Sequence, residues 1–213
     1  KLENTDSSPY NPMINAGAIV VASCLASEIS FDTMLDTIRA LCMDPDINLD
    51  KKVYHSEMSH ISRNRAIAYL LESKGYIEKN KDVENSLHFY VKMCSLSVTA
   101  ESLAGLGLIL ANDGIHPDTG KRLLSSQAVK IVKTLMFTCG MYDGSGEFAV
   151  RVGIPSKSGV GGGILSVVDG EMGIGIFGPA LDKKGNSVAG ECVLEYMSHE
   201  LHLHMFDPQR HTL

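Results

Sequence analysis

The sequence predicts an α+β fold, with helices packed on an antiparallel sheet, and three observations carry that prediction. Apolar residues recur at helical spacing through the first two-thirds of the chain, two runs rich in Ile and Val flank Asp169-Gly170, and a last helical pattern follows Asn186-Ser187. With 213 residues, 44% of them hydrophobic and 21% charged, the chain can bury a sizeable core, which excludes a disordered or collagen-like class.

Asn11-Pro12 reads as a helix start: Asn caps the free amides, and Pro at the first helical position lacks only a donor that has no partner there. From Met13 to Leu25 almost no polar face is left, so this helix is expected to be buried on all sides with Asn15 in the core. Phe31, Met34, Leu35, Ile38, Leu41 and Cys42 form an apolar stripe behind Ser30 as cap. A helix running through His60 and Ile61 would carry Glu57 and Asn64 on one stripe that continues into Ile67, Ala68 and Leu71. Leu87, Tyr90, Val91 and Cys94 mark the next helix, and Thr99 caps a small-residue helix that ends at Asn112-Asp113-Gly114. Ser125 or Ser126 opens another, carried by Val129, Val132, Leu135 and Met136.

Asp169-Gly170 is a two-residue hairpin signal between Ile164–Val168 and Met172–Phe177, and Gly173 and Gly175 on one face would let another backbone approach closely. Asn186 or Ser187 then caps a final helix with Val193, Met197 and Leu201 aligned. Two strands do not make a stable sheet, which points to further strands upstream of Lys1. The absence of repeats or Pro/Gly linkers gives no domain boundary, so residues 1–213 read as the C-terminal portion of a single domain.

A net charge of −6 offers no basic stripe for nucleic acid and no attraction to an anionic membrane surface. The five cysteines are odd in number and widely spaced, mostly in apolar stretches, which reads as buried, reduced thiols and a cytoplasmic compartment. No apolar run is long enough to cross a bilayer, and Lys1-Leu2-Glu3-Asn4 resembles neither a signal peptide nor a natural start, so the N-terminus reads as cut.

Lys157-Ser158-Gly159-Val160-Gly161-Gly162-Gly163 enters a strand, and a Lys-Ser/Thr-Gly triplet there is one signature of penicillin-recognising serine enzymes. The glycines let a substrate approach the main chain, where the Val160 amide is placed to stabilise an oxyanion; the triplet alone is more often a plain Gly-rich turn. In Cys139-Gly140-Met141-Tyr142-Asp143-Gly144, Tyr142 is a candidate proton relay if a neighbouring cation lowers its pKa, or else a loop tyrosine packed on its ring. Asn15 in an apolar helix needs a partner, either a ligand or a neighbouring helix. Glu57 and Asn64 would suit a ligand with an ammonium and a carboxylate, although a solvated charge is commoner, and Tyr90 by itself is more often core. His199, His202 and His204 miss the His-Glu-x-x-His spacing, so no metal is expected, and Cys139 has no evident histidine partner.

Pro9-Tyr10-Asn11-Pro12-Met13-Ile14-Asn15-Ala16-Gly17-Ala18-Ile19, Cys139 through Asp143, Lys157 through Gly162 and Leu181-Asp182-Lys183-Lys184-Gly185-Asn186-Ser187 together resemble the conserved blocks of the serine-dependent glutaminases. The resemblance runs along essentially the whole chain and implies a β-lactamase-like fold, with a serine attacking the side-chain amide of L-glutamine and releasing ammonia. It implies that Asn15, Glu57 and Asn64 hold the α-amino and α-carboxylate groups, that Tyr90 bonds in the same pocket, that Tyr142 moves a proton and that the Val160 amide helps form the oxyanion hole. It further implies a homodimer or homotetramer, no metal or organic cofactor, and a nucleophile in an upstream Ser-x-x-Lys motif. No serine here has lysine three positions later, so these 213 residues alone are expected to give no turnover. Alternatives are a penicillin-binding or β-lactamase-like serine hydrolase, and an inactive glutamate- or glutamine-binding fragment.

Overall fold

Most helix starts among the described residues are set by a side chain that takes up free backbone amides. The computed structural model describes residues 8–210, so residues 1–4, with the cut start read above, lie outside it. Two compact units emerge, one of residues 8–39 and 45–97, the other of residues 40–44 and 98–210.

In the first unit the Asn11 Oδ1 accepts from the amides of Met13 and Ile14, at 2.9 and 3.1 Å, so Asn11 closes a turn before the helix instead of capping it. Helix α1 (Asn15–Ala26) therefore begins three residues after Pro12, the position expected to open it. The turn folds back on it, for a Cβ at Gly17 would lie 2.0 Å from the Asn11 carbonyl oxygen. The α1 helix is not buried all round: Ala16, Ile19 and Ala22 are, whereas Val21 is 45% exposed and Asn15 is exposed. An unbroken apolar run carries no periodicity from which to read the covered side.

Helix α2 (Phe31–Cys42) follows, with the Ser30 Oγ accepting from the Thr33 amide. A short ribbon, β1 (Asn48–Leu49), comes before α3 (Lys51–Ser59), capped by Asp50, and α4 (Ser62–Ser73). The single helix expected through His60 is two helices. Ser59 Oγ and His60 Nδ1 both bond the Ser56 carbonyl, and the His60 amide reaches back only to Glu57, which ends α3. Helix α5 (Val83–Cys94) and β2 (Leu96–Ser97), antiparallel to β1, complete the unit. Ile19, Ile67, Ala68, Leu71, Leu87 and Val91 form its core between α1, α4 and α5. The Arg65 guanidinium spans both Glu84 carboxylate oxygens, at 2.9 and 3.1 Å, and ties α4 to α5.

The second unit opens on α6 (Ala100–Ala111), where Thr99 and Ser102 cap each other reciprocally and Asp113 and Gly114, at φ of 52 and 77°, turn the chain away. Helix α7 (Ser126–Cys139), capped by Ser125, leads through a 3₁₀ turn to α8 (Ser145–Arg151). The sheet has the order β3 (Ser156–Ser158), β4 (Gly163–Val168), β5 (Met172–Phe177), all antiparallel, so the Lys157 segment supplies an edge strand. The β4–β5 loop holds three residues, Asp169 to Glu171, since Val168 pairs with Met172 and Gly170 takes φ 76°.

Gly173 and Gly175 face α6 as their spacing predicts: a Cβ on Gly175 would fall 1.8 Å from the Ala100 carbonyl oxygen. The opposite face buries Ile164 and Ile174 against Leu194 of α9 (Val188–Glu200), which Ser187 caps. The sheet thus lies between α6 on one side and α8 and α9 on the other. All five cysteines are free, but only Cys42 is buried; Cys24, Cys94 and Cys192 are exposed, since helical apolar stretches carry small residues outward as well as inward. No single helix among the described residues is long and apolar enough to cross a membrane.

Candidate active site

In the first unit, α1 and α4 bring two of the expected residues together: Asn15 Nδ2 donates to Asn64 Oδ1 at 3.1 Å. Asn15 therefore has a protein partner and an exposed side, and the desolvation cost inferred for a core amide does not arise. One N–H of Asn15 and one lone pair of Asn64 are used, which fixes the two amides relative to each other and, among the described residues, leaves the second N–H of Asn15, its Oδ1 and Asn64 Nδ2 for a ligand.

Glu57, on the last turn of α3, is exposed and lies within electrostatic range of Cys94 on α5. Tyr90 and Cys94 stand one turn apart on α5, the phenol hydrogen-bonds the sulfur, and the Glu57 carboxylate lies close enough to act on the same thiol. Cys94 keeps part of its surface in solvent, yet the protein packed round its sulfur raises its pKa first by desolvation and then through Glu57, while Tyr90 works the other way. The Tyr90 ring packs on the core formed by Leu87 and Val91, and its hydroxyl end is the part that meets Cys94 and so Glu57. Cys94 was not foreseen, although its i+4 spacing from Tyr90 was present in the sequence.

In the second unit Tyr142 and Val160 are neighbours. Tyr142 begins the 3₁₀ turn after Gly140 with φ 52°, a left-handed conformation rare outside glycine. Val160, 74% exposed, sits in the turn between β3 and β4 that closes when the Gly162 amide bonds the Gly159 carbonyl at 2.9 Å. Its main-chain N–H donates to the Tyr142 phenol oxygen. Burial raises the Tyr142 pKa above its usual value and this amide only partly offsets it, so the phenol keeps its proton at neutral pH. The expected lowering by a cation is absent: Lys157 Nζ lies 4.8 Å from the ring centroid, over its face, and donates to the Ser158 carbonyl. Burial depresses the pKa of that ammonium as well. The site pairs a proton-bearing phenol with a main-chain donor that the phenol oxygen occupies; an oxyanion that takes over that N–H would lie beside the phenol proton.

A third segment frames Tyr142. The turn at Gly185, φ 99°, lies on the ring, where a Cβ would be 3.5 Å from Tyr142 Cε2 and 3.8 Å from Val160 Cγ1. Sequence reasoning took Asn186 only as a possible helix cap; the structure gives the cap to Ser187 and buries Asn186 completely. The clefts lined by Lys130, Phe137 and Met205, and by His199, His202 and His204, contain none of the expected residues. Among the described residues, no three His, Cys, Asp or Glu side chains are grouped to hold a metal.

Residues 1–206 match the glutaminase family model. The chain is 51% identical over 201 residues to a glutaminase of Clostridium tetani, covering 93% of this chain and 65% of that one. It is 52% identical over 210 residues to a glutaminase of Fusobacterium nucleatum, covering 97% and 68%. It thus spans roughly two-thirds of the length of these relatives. Among solved structures, a probable glutaminase of Bacillus subtilis superposes with a TM-score of 0.89 at 39% identity, covering 95% of this chain and 68% of that one. A Bacillus subtilis glutaminase in covalent complex with 5-oxo-L-norleucine gives 0.87 at 40% identity, covering 93% and 70%. The α+β, β-lactamase-like fold expected from the sequence is the fold these structures share, and the chain belongs to the glutaminase family.

Proposed function

We propose that the protein containing this chain hydrolyses the side-chain amide of L-glutamine to L-glutamate and ammonia. The observation that carries the reading is the match of about half of all residues to glutaminases along nearly the whole chain, at 51% identity over 93% of its length. It is supported by the relative in covalent complex with 5-oxo-L-norleucine, formed by reaction with 6-diazo-5-oxo-L-norleucine, an amino acid whose 5-oxo group stands where the glutamine side-chain carbonyl would be.

In this reading Glu57 takes the α-ammonium, the Asn15–Asn64 pair takes the α-carboxylate, and Tyr90 bonds within the same pocket. A serine attacks the amide carbon, and the oxyanion that forms is stabilised by the Val160 N–H. The Tyr142 phenol, proton-bearing at neutral pH, serves proton transfer as the C–N bond breaks and ammonia leaves; water then cleaves the glutamyl ester. No serine of the 213 residues has lysine at i+3, so the nucleophile is assigned to sequence outside them. Five free thiols support a reducing, cytoplasmic setting, and we further propose a homodimer or homotetramer.

The test is ammonia release from glutamine by the full gene product and by the 213-residue chain alone. Turnover by the first and none by the second is expected. No turnover by the full product, or turnover by the 213 residues alone, refutes the assignment.

A further inference from the structure

We propose that Asn186 is a positioning residue for Tyr142, holding the phenol where proton transfer needs it. The inference deepens the reading above and rests on it. The Asp182 Oδ1 accepts the amides of Lys184, Gly185 and Asn186, at 2.9, 2.8 and 2.9 Å, and the Asp182 amide closes the loop on the Asn186 carbonyl at 2.8 Å. This Asx turn is built by local bonds, yet its product is long-range: Asn186, fully buried, donates through Nδ2 to the Met141 carbonyl at 3.2 Å, 45 residues away. The Oδ1 of Asn186 accepts no hydrogen bond among the described residues, so that single donation is what its amide contributes.

Met141 immediately precedes Tyr142, and its own amide donates to Ser145 Oγ at 3.0 Å while Ser145 Oγ donates to the Tyr142 carbonyl at 2.8 Å. Both peptide groups flanking the Tyr142 α-carbon are therefore held by side chains. That matters because the φ of 52° is one a tyrosine does not choose unaided. Gly185 of the same loop faces the ring, with room for a Cβ at 3.5 Å from Tyr142 Cε2, so the loop that holds the Tyr142 backbone also borders its side chain.

The test compares Asn186→Asp in the full gene product carrying either Tyr142 or Tyr142→Phe, with kcat, KM and a thermal melt for each. The aspartate keeps the shape and loses the donor. A fall in kcat of about tenfold or more with KM within about threefold is expected, shrinking to about twofold or less in the Tyr142→Phe background, where no phenol is left to misplace. Equal losses in both backgrounds, or a loss confined to KM, overturn the inference. Should Asn186→Asp fail to fold, Asp182→Asn weakens the same loop from its outer side, and its kcat loss must likewise vanish in Tyr142→Phe. A Tyr142→Phe enzyme with unchanged kcat removes the proposed role of the phenol and this inference together, whereas a slowed Tyr142→Phe enzyme with additive losses removes only the role of Asn186.

Discussion

Adding one methyl group at Gly175 tests how the second unit is built. The new carbon would lie 1.8 Å from the Ala100 carbonyl oxygen and 2.8 Å from both the Ala100 carbonyl carbon and the Ala104 amide, all main-chain atoms of α6 that no rotamer change can move. Carbon–oxygen contacts settle at roughly 3.3 Å or more, so the start of α6 must retreat by about 1.5 Å. That retreat opens the same interface at Gly107 and Gly173, where an added Cβ would likewise meet main-chain atoms at 2.7 and 2.2 Å. Gly175→Ala should therefore reach the top of the overpacking range, about 3 kcal/mol, or roughly 6–12 °C in Tm for a chain of this size. Gly146 supplies the contrast, because it lies in α8 with nothing within 4 Å of a Cβ. Gly146→Ala should stabilise by about 0.5–1 kcal/mol through helix propensity alone. Urea denaturation and a thermal melt measure both. A Gly175→Ala protein within about 2 °C of the parent would refute the view that these glycines exist to admit a backbone.

Glu57→Gln removes the charge assigned to the substrate ammonium and should lower kcat/KM for glutamine by about 10–100-fold in steady-state assays, an unchanged value counting against that role. Glu84, Asp113, Glu147, Asp182 and Asp207 all have pKa values lowered by hydrogen-bond donors or cations in the fold. Their contribution is complete above the ordinary carboxylate values of 3.8 to 4.5 and is lost as pH falls through the lowered ones, so denaturant midpoints should hold from neutral pH to about pH 5 and drop below about pH 4. Burial, and secondarily Asp44, pushes the Cys42 thiol from 9.0 up to about 11. A raised value stabilises the protein below the unfolded pKa and ceases to do so above the folded one, so this thiol's contribution should fall by roughly 2–3 kcal/mol between pH 9 and pH 11, and Cys42→Ala should make that part of the profile less steep.

What was legible in the sequence was local. Ser125, Thr99 and Ser187 announce helix starts because a cap bonds an amide two or three residues on, and Asp169-Gly170 announces a hairpin for a similar reason. The glycines of β5 could be read because alternation along a strand assigns them to one face. The break at His60 escaped notice because it depends on two side chains, Ser59 and His60, bonding the Ser56 carbonyl, which apolar periodicity does not record. The exposure of Asn15 escaped because an apolar run has no polar side to point with. The candidate residues were named from blocks and spacing, but their geometry was not legible: Asn15 meets Asn64 across 49 positions, and Asn186 meets Met141 across 45. The left-handed backbone of Tyr142 was hidden too, since nothing in Met-Tyr-Asp-Gly says that the tyrosine and not the glycine takes the unusual φ.

That backbone sets two selective pressures against each other at one position. Glycine at 142 would relax the main chain and delete the phenol, and asparagine would relax it in part. A mutant library sorted only for heat resistance should therefore enrich these residues at position 142, whereas one sorted for ammonia production should retain tyrosine despite its conformational expense. Sequencing the survivors of the two screens side by side would show whether this residue is kept for what it does or for how the chain folds.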